Sequence, residues 1–169
     1  QYYTSYIDYT EGNYREAKRG FSQLTDNSAY SKVVPFYIFQ IEVLEGNYDY
    51  VLRNGPALLK SAAGERVAEI NRVMSEACFH EGDYAGAIEY MDAYRKAGGD
   101  MGRAEYYLLG YSQYVRNDIN EAVASLSQVV VPDDKLTQNA AYHLGGAYLR
   151  AGDKSKAVPS FSQSASATY

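Results

Sequence analysis

The chain has 169 residues, 46% of them hydrophobic and 22% charged, which suits one folded domain of ordinary size. Its net charge is −5 and its 16 basic residues are scattered, so it lacks the basic patch that nucleic acid requires. No apolar run approaches the roughly 20 residues of a membrane-crossing helix, so direct membrane insertion by this segment is not expected, and the single cysteine, Cys78, cannot close an internal disulfide.

The first periodic stretch, about residues 2–11, places Tyr2, Tyr3, Tyr6, Ile7 and Tyr9 at helical spacings and stops at Gly12-Asn13. A second helix, about 14–26, follows with Ala17 and Phe21 on its inner side. The pattern then returns, with helices predicted at about 31–45 and 48–61, 65–81 and 84–97, 102–116 and 119–130, and 136–151 and 154–166. Each pair turns at a register residue: Gly12, Gly46, Gly82, Asn117 or Gly152. The steps between these are 34, 36, 35 and 35 residues. Five copies at that period read as an all-α solenoid of about five antiparallel helix pairs.

The chemistry of the turn is readable. Glycine can adopt the left-handed backbone that closes a helix. The next residue, Asn13, Asn47, Asp83, Asp118 or Asp153, is of a type that caps the helix to come. Asn13 with Glu16, and Asp118 with Glu121, have the spacing of a capping box. Four residues beyond each cap stands a small residue: Ala17, Val51, Ala87, Ala122 or Ala157. One turn on come Phe21, Gly55, Met91, Leu126 and Phe161, of which Gly55 alone cannot fill a core. Pro35 favours a start near Val34 for the third helix, Gly55-Pro56 is expected to kink or split the fourth, and Pro159 to bend the last. Gly98-Gly99 and Val131-Pro132-Asp133-Asp134 read as loops between repeats.

The segments LGYSQYVRNDINEAVASL (Leu109 to Leu126) and YHLGGAYLRAGDKSKAVPSF (Tyr142 to Phe161) resemble the tetratricopeptide repeat. Gly110 and Gly145 match the family's small residue in the first helix, and Tyr148 its aromatic one turn on, where Gln113 departs. Gly12, Tyr14, Ala17 and Phe21 match the turn and second helix, whereas Ser5 and Phe39 stand at the small position of the first two repeats. The resemblance implies a right-handed superhelix, one domain over residues 1–169 with repeats of about 1–28, 29–62, 63–98, 99–133 and 134–169. The tyrosine-rich YYTSYIDYTEGNYREAKRGF looks like variants in cell-envelope and periplasmic repeat proteins of Bacteroidetes-type bacteria, which implies a periplasmic or outer-membrane-associated location. The first helix is as aromatic as an internal one. It suggests a segment of a longer array, with self-association through the N-terminal face as an alternative.

No catalytic constellation stands out. His80 and His143 are about two repeats apart and lack metal-ligand spacing, and Cys78 among Met74, Ala77 and Phe79 reads as a buried thiol. No catalytic residue, cofactor or metal is expected. In the family the first helices line a concave surface. The resemblance therefore implies a binding face bordered by Tyr2, Tyr6, Tyr9, Phe36, Gln40, Arg72, Glu76, Phe79, Tyr107, Tyr111, Tyr114, Tyr142 and Arg150. Tyrosine, with a rigid apolar body and a polar tip, suits such a surface. The expected function is a non-enzymatic interaction or scaffolding module for a peptide or protein, with glycan binding in a surface nutrient-uptake system as the alternative.

Overall fold

The computed structural model describes residues 1–130 and 134–166. Among these are ten helices and no strand: α1 (Tyr2–Thr10), α2 (Tyr14–Ser22), α3 (Val34–Leu44), α4 (Tyr48–Ser61), α5 (Glu65–His80), α6 (Tyr84–Lys96), α7 (Arg103–Val115), α8 (Ile119–Ser127), α9 (Lys135–Arg150) and α10 (Lys154–Ser166). Each helix packs on its successor, and α7 also touches both α5 and α9.

The turns repeat one geometry. Gly12, Gly46, Gly82 and Gly152 have φ between +73° and +82°, and Asn117 takes the same left-handed conformation at +66°. The residue after each donates its N–H back to a carbonyl five residues earlier, as Asn13 does to Asp8 at 2.7 Å and Asp83 to Cys78 at 2.8 Å. That bond meets one of the carbonyls a helix end leaves open. Asn47, Asp83 and Asp153 then accept an N–H from the helix they open, at 3.4, 2.9 and 3.2 Å. Asn13 and Asp118 make no side-chain cap bond, so the capping boxes expected there do not form. One half of such a box occurs instead at α7, where Gly102 N–H donates to Glu105 Oε2 at 3.0 Å.

Two helices end earlier than expected. After α2, Ser22 Oγ donates to the carbonyl of Lys18 and Thr25 Oγ1 to that of Ser22, and Asn27 Oδ1 accepts from Ala29. These local side-chain bonds compete with the helical ladder. After α8, the Val129 carbonyl accepts from Arg103 Nε at 3.0 Å, which ties the chain to α7. α3 starts at Val34 with Pro35 in its first turn, where a missing N–H costs nothing. α4 is not split at Gly55-Pro56, nor α10 at Pro159. Both prolines are exposed, so each removes one hydrogen bond on the solvent side. Of the expected loop at 131–134, residues 131–133 lie outside the described residues.

The core is a chain of linked clusters, each joining one pair to the next. Ala17, Phe21 and Leu24 pack with Val34, Ile38 and Ile41. Val51 and Phe39 pack with Ile70, Val73, Met74 and Ala77. Met91 and Tyr94 meet Leu109, and Leu126 and Val129 meet Ala140 and Leu144. Ala17, Val51, Ala87, Ala122 and Ala157 are all buried, as the helix-pair register requires.

Candidate interaction face

The odd-numbered helices repeat three positions, spaced i, i+4 and i+7, along one face. Along α1 these are Tyr2, Tyr6 and Tyr9, along α3 Phe36, Gln40 and Val43, and along α5 Arg72, Glu76 and Phe79. α7 contributes Tyr107, Tyr111 and Tyr114, and α9 Tyr142, Gly146 and Leu149. Nearly every residue expected to border a binding face falls on this ladder; Arg150 follows it by one residue. None of them is fully buried.

The ladder is not a uniform aromatic strip. At the N-terminal end Tyr2 stacks on Tyr30, centroids 4.6 Å apart, while Tyr6 and Tyr9 meet Tyr37 edge-on at 5.7 and 5.3 Å. At the C-terminal end His143 sits in a ring of tyrosines, 4.8 Å from Tyr111, 5.4 Å from Tyr114 and 5.4 Å from Tyr142. Phe79 reaches Tyr111 at 5.6 Å and so joins α5 to this group. Arg150 lies over Tyr114 at 4.3 Å, and Arg66 over Phe36 at 4.6 Å. Burial pushes the hydroxyls of Tyr2, Tyr9, Tyr107 and Tyr111 upward in pKa, so they remain protonated donors at neutral pH.

Between the two aromatic groups lies a charged rung. Arg72 donates to both oxygens of Glu69, at 3.1 and 2.8 Å, and approaches Glu76 at 3.5 Å. Glu105 faces the same space from α7. A cleft of about 310 Å³ opens here between α5 and α7, lined by Arg72, Glu76, Phe79, Glu105, Tyr107 and Leu108 among others. Its wall is apolar along Phe79, Tyr107 and Leu108, with buried Met91 beneath. Three carboxylates, Glu69, Glu76 and Glu105, stand around the single guanidinium, so the rung carries net negative charge.

Residue by residue, the ladder is legible in the sequence and the cleft is not. Glu69 and Glu105 do not stand out there, because acidic residues on a helix are ordinary and only packing brings these two to Arg72. Gly146 lies close to a specific neighbour: a Cβ there would lie 2.7 Å from the Tyr114 hydroxyl. His80 is exposed and stacks on Tyr48 at 4.4 Å. Cys78 is buried, and burial pushes its thiol up to about 11, the reverse of an activated nucleophile. Among the described residues no group of three His, Cys, Asp or Glu side chains is placed to hold a metal ion.

The match to known proteins follows from this geometry. Residues 107–168 match the family model of the tetratricopeptide repeat. This chain has the tetratricopeptide-repeat solenoid fold. It superposes on MamA of AMB-1 with a TM-score of 0.79 at 16% identity, over 97% of this chain and 87% of that one. MamA residues 41-end from Desulfovibrio magneticus RS-1 give 0.72 at 16% identity, over 96% and 89%. The nearly identical TPR-like repeats of a putative kinesin light chain from Podosopora anserina give 0.61 at 15% identity, over 98% and 92%. No curated protein matches the chain. No described helix is long and apolar enough to cross a membrane.

Proposed function

We infer that this chain is a non-enzymatic module that binds an extended peptide or protein segment along its odd-helix face. The observation that carries this reading is the α5–α7 cleft at the centre of the ladder, with apolar walls and an acidic rim. A side chain entering it would bury against Phe79, Tyr107 and Leu108. A lysine or arginine beside that side chain would meet Glu76 and Glu105. The protonated hydroxyl of Tyr107, on the cleft wall, can donate to a peptide carbonyl. The ligand chemistry is therefore an aliphatic residue next to a basic one. A bacterial cell-envelope setting is part of the proposal, supported by the tyrosine-rich texture of residues 2–21.

Glycan binding draws less support. Stacking on a sugar needs an open flat ring, and here most ladder rings meet neighbours edge-on, as Phe79 and Tyr111 do.

The test is selection from a displayed peptide library on the immobilised chain. Binders are expected to share an aliphatic–basic pair and to lose affinity to the Glu76→Gln and Tyr107→Ala variants. Binders with no shared basic residue, or binding indifferent to both substitutions, would contradict the proposal.

A further inference from the structure

The outer side of α1 is exposed at positions that every later odd helix buries. Five residues ahead of the turn, Ile41, Ala77, Ser112 and Ala147 are all fully buried, whereas Ile7 is 53% exposed. Eight residues ahead, Ile38, Met74, Leu109 and Leu144 are buried, and each packs in a cluster with residues of the preceding even helix. Their counterpart in α1, Thr4, is exposed. Nine residues ahead, Tyr37, Val73, Leu108 and His143 are at least partly buried, and Tyr3 is 75% exposed. α1 thus presents the surface that an even helix covers elsewhere, with Ile7 and Tyr3 as its apolar anchors and Thr4 as a smaller one.

Charge specifies the missing neighbour further. Lys18 of α2 is gripped by two carboxylates of α3, Glu42 at 2.6 Å and, just beyond the helix end, Glu45 at 3.0 Å. The register equivalents of Glu42 and Glu45 at α1 are Asp8 and Glu11, and the other three repeats lack this acidic pair. Among the described residues neither Asp8 nor Glu11 has a salt-bridge partner. We propose that α1 docks an additional amphipathic helix of the even kind, apolar on one side and carrying a lysine or arginine that pairs with Asp8 and Glu11 as Lys18 does with Glu42 and Glu45. The occupant is a helix of a further repeat. A second copy of this chain fits poorly, because the register equivalent of Lys18 in its last helix is Val158, and Lys156 is directed to its own Asp153.

The probe is a fluorescent peptide spanning residues 13–27, which carries the α2 pattern with Lys18, titrated into the whole chain and followed by anisotropy. Saturable binding is expected. Ile7→Asp and Asp8→Lys should each weaken it on the order of tenfold, the scale of a modest interface anchor. A Lys18→Glu peptide should regain binding to the Asp8→Lys chain. Ile7 and Asp8 lie outside the core, and circular dichroism checks that both variants remain folded. Absence of saturable binding, or binding unmoved by both substitutions, would overturn the proposal. So would sedimentation showing that the chain self-associates through Ile7 and excludes the peptide.

Discussion

The second and fourth helix pairs solve the same packing problem with opposite assignments of size. In the fourth, Gly110 of α7 is small and Leu126 of α8 is large, and a Cβ added at Gly110 would lie 2.7 Å from Leu126 Cγ. In the second, α3 carries the large residue, Phe39, and α4 the small one, Gly55. The room above Gly55 is taken by the thioether of Met74 from the next pair, which an added Cβ would strike. What a pair of close-packed helices requires is the sum of volumes in a layer, and the helix that supplies the volume is secondary. The difference also shows how the second pair departs from the family pattern at two positions without losing the fold: Met74 of the next pair fills the room that Gly55 leaves.

The largest effect should come from removing the inverted volume. Phe39→Ala is expected to cost about 3–5 kcal/mol, since Phe39 is buried and shares its cluster with Val51, Ile70 and Met74. Chemical denaturation measures this, and a loss below about 1 kcal/mol would mean the second pair does not depend on Phe39. Gly110→Leu tests the other assignment. It overfills the fourth pair next to both the side chain and the backbone of Leu126, so about 1–3 kcal/mol or more should be lost. Ala87→Leu and Ala122→Leu, at the fully buried small position of α6 and α8, should each cost roughly 1–3 kcal/mol by the same overpacking. An unchanged denaturation midpoint in both would refute the helix-pair register.

A smaller effect should separate the C-terminal repeats from the second pair by pH. Burial lowers the pKa of His143, which sits among tyrosines over α7 and α9. Its folded-state pKa is depressed, so its contribution is present above the unfolded value of about 6.5 and is lost as pH falls through the folded value. Amide exchange should therefore quicken in α7 and α9 as pH drops below that range, after correction for intrinsic rates, and α3 and α4 should lag behind. His143→Phe should abolish the difference. Equal acid response in the two regions would break the contrast.

The repeat makes the fold legible in the sequence. Gly12, Gly46, Gly82, Asn117 and Gly152 set the register, and a left-handed turn followed by a cap residue admits few other readings. Helix ends are less visible where side chains compete for backbone groups, as Ser22 and Thr25 do after α2 and Arg103 does at Val129. The ladder of tyrosines is legible because its i, i+4, i+7 spacing recurs along the chain. The cleft is not, because Glu69, Arg72 and Glu105 come from two helices and their meeting depends on how the third and fourth pairs stack. The exposed side of α1 is partly legible, in that QYYTSYIDY has no polar cap. Its acidic pair gains meaning only from the place of Lys18 between Glu42 and Glu45.

The central claim is that the odd-helix face, at its α5–α7 cleft, is where a partner binds. The most direct measurement is chemical-shift mapping of a selected aliphatic–basic peptide on the isotope-labelled chain. The account predicts the largest changes at Glu76, Phe79, Glu105, Tyr107 and Leu108. A second cleft of similar size, lined by Asp92, Arg95, Tyr106, Gln113 and Gln128, lies between α6, α7 and α8 and serves as the internal control. Changes confined to that control cleft, with Glu76 and Tyr107 unmoved, would contradict the claim.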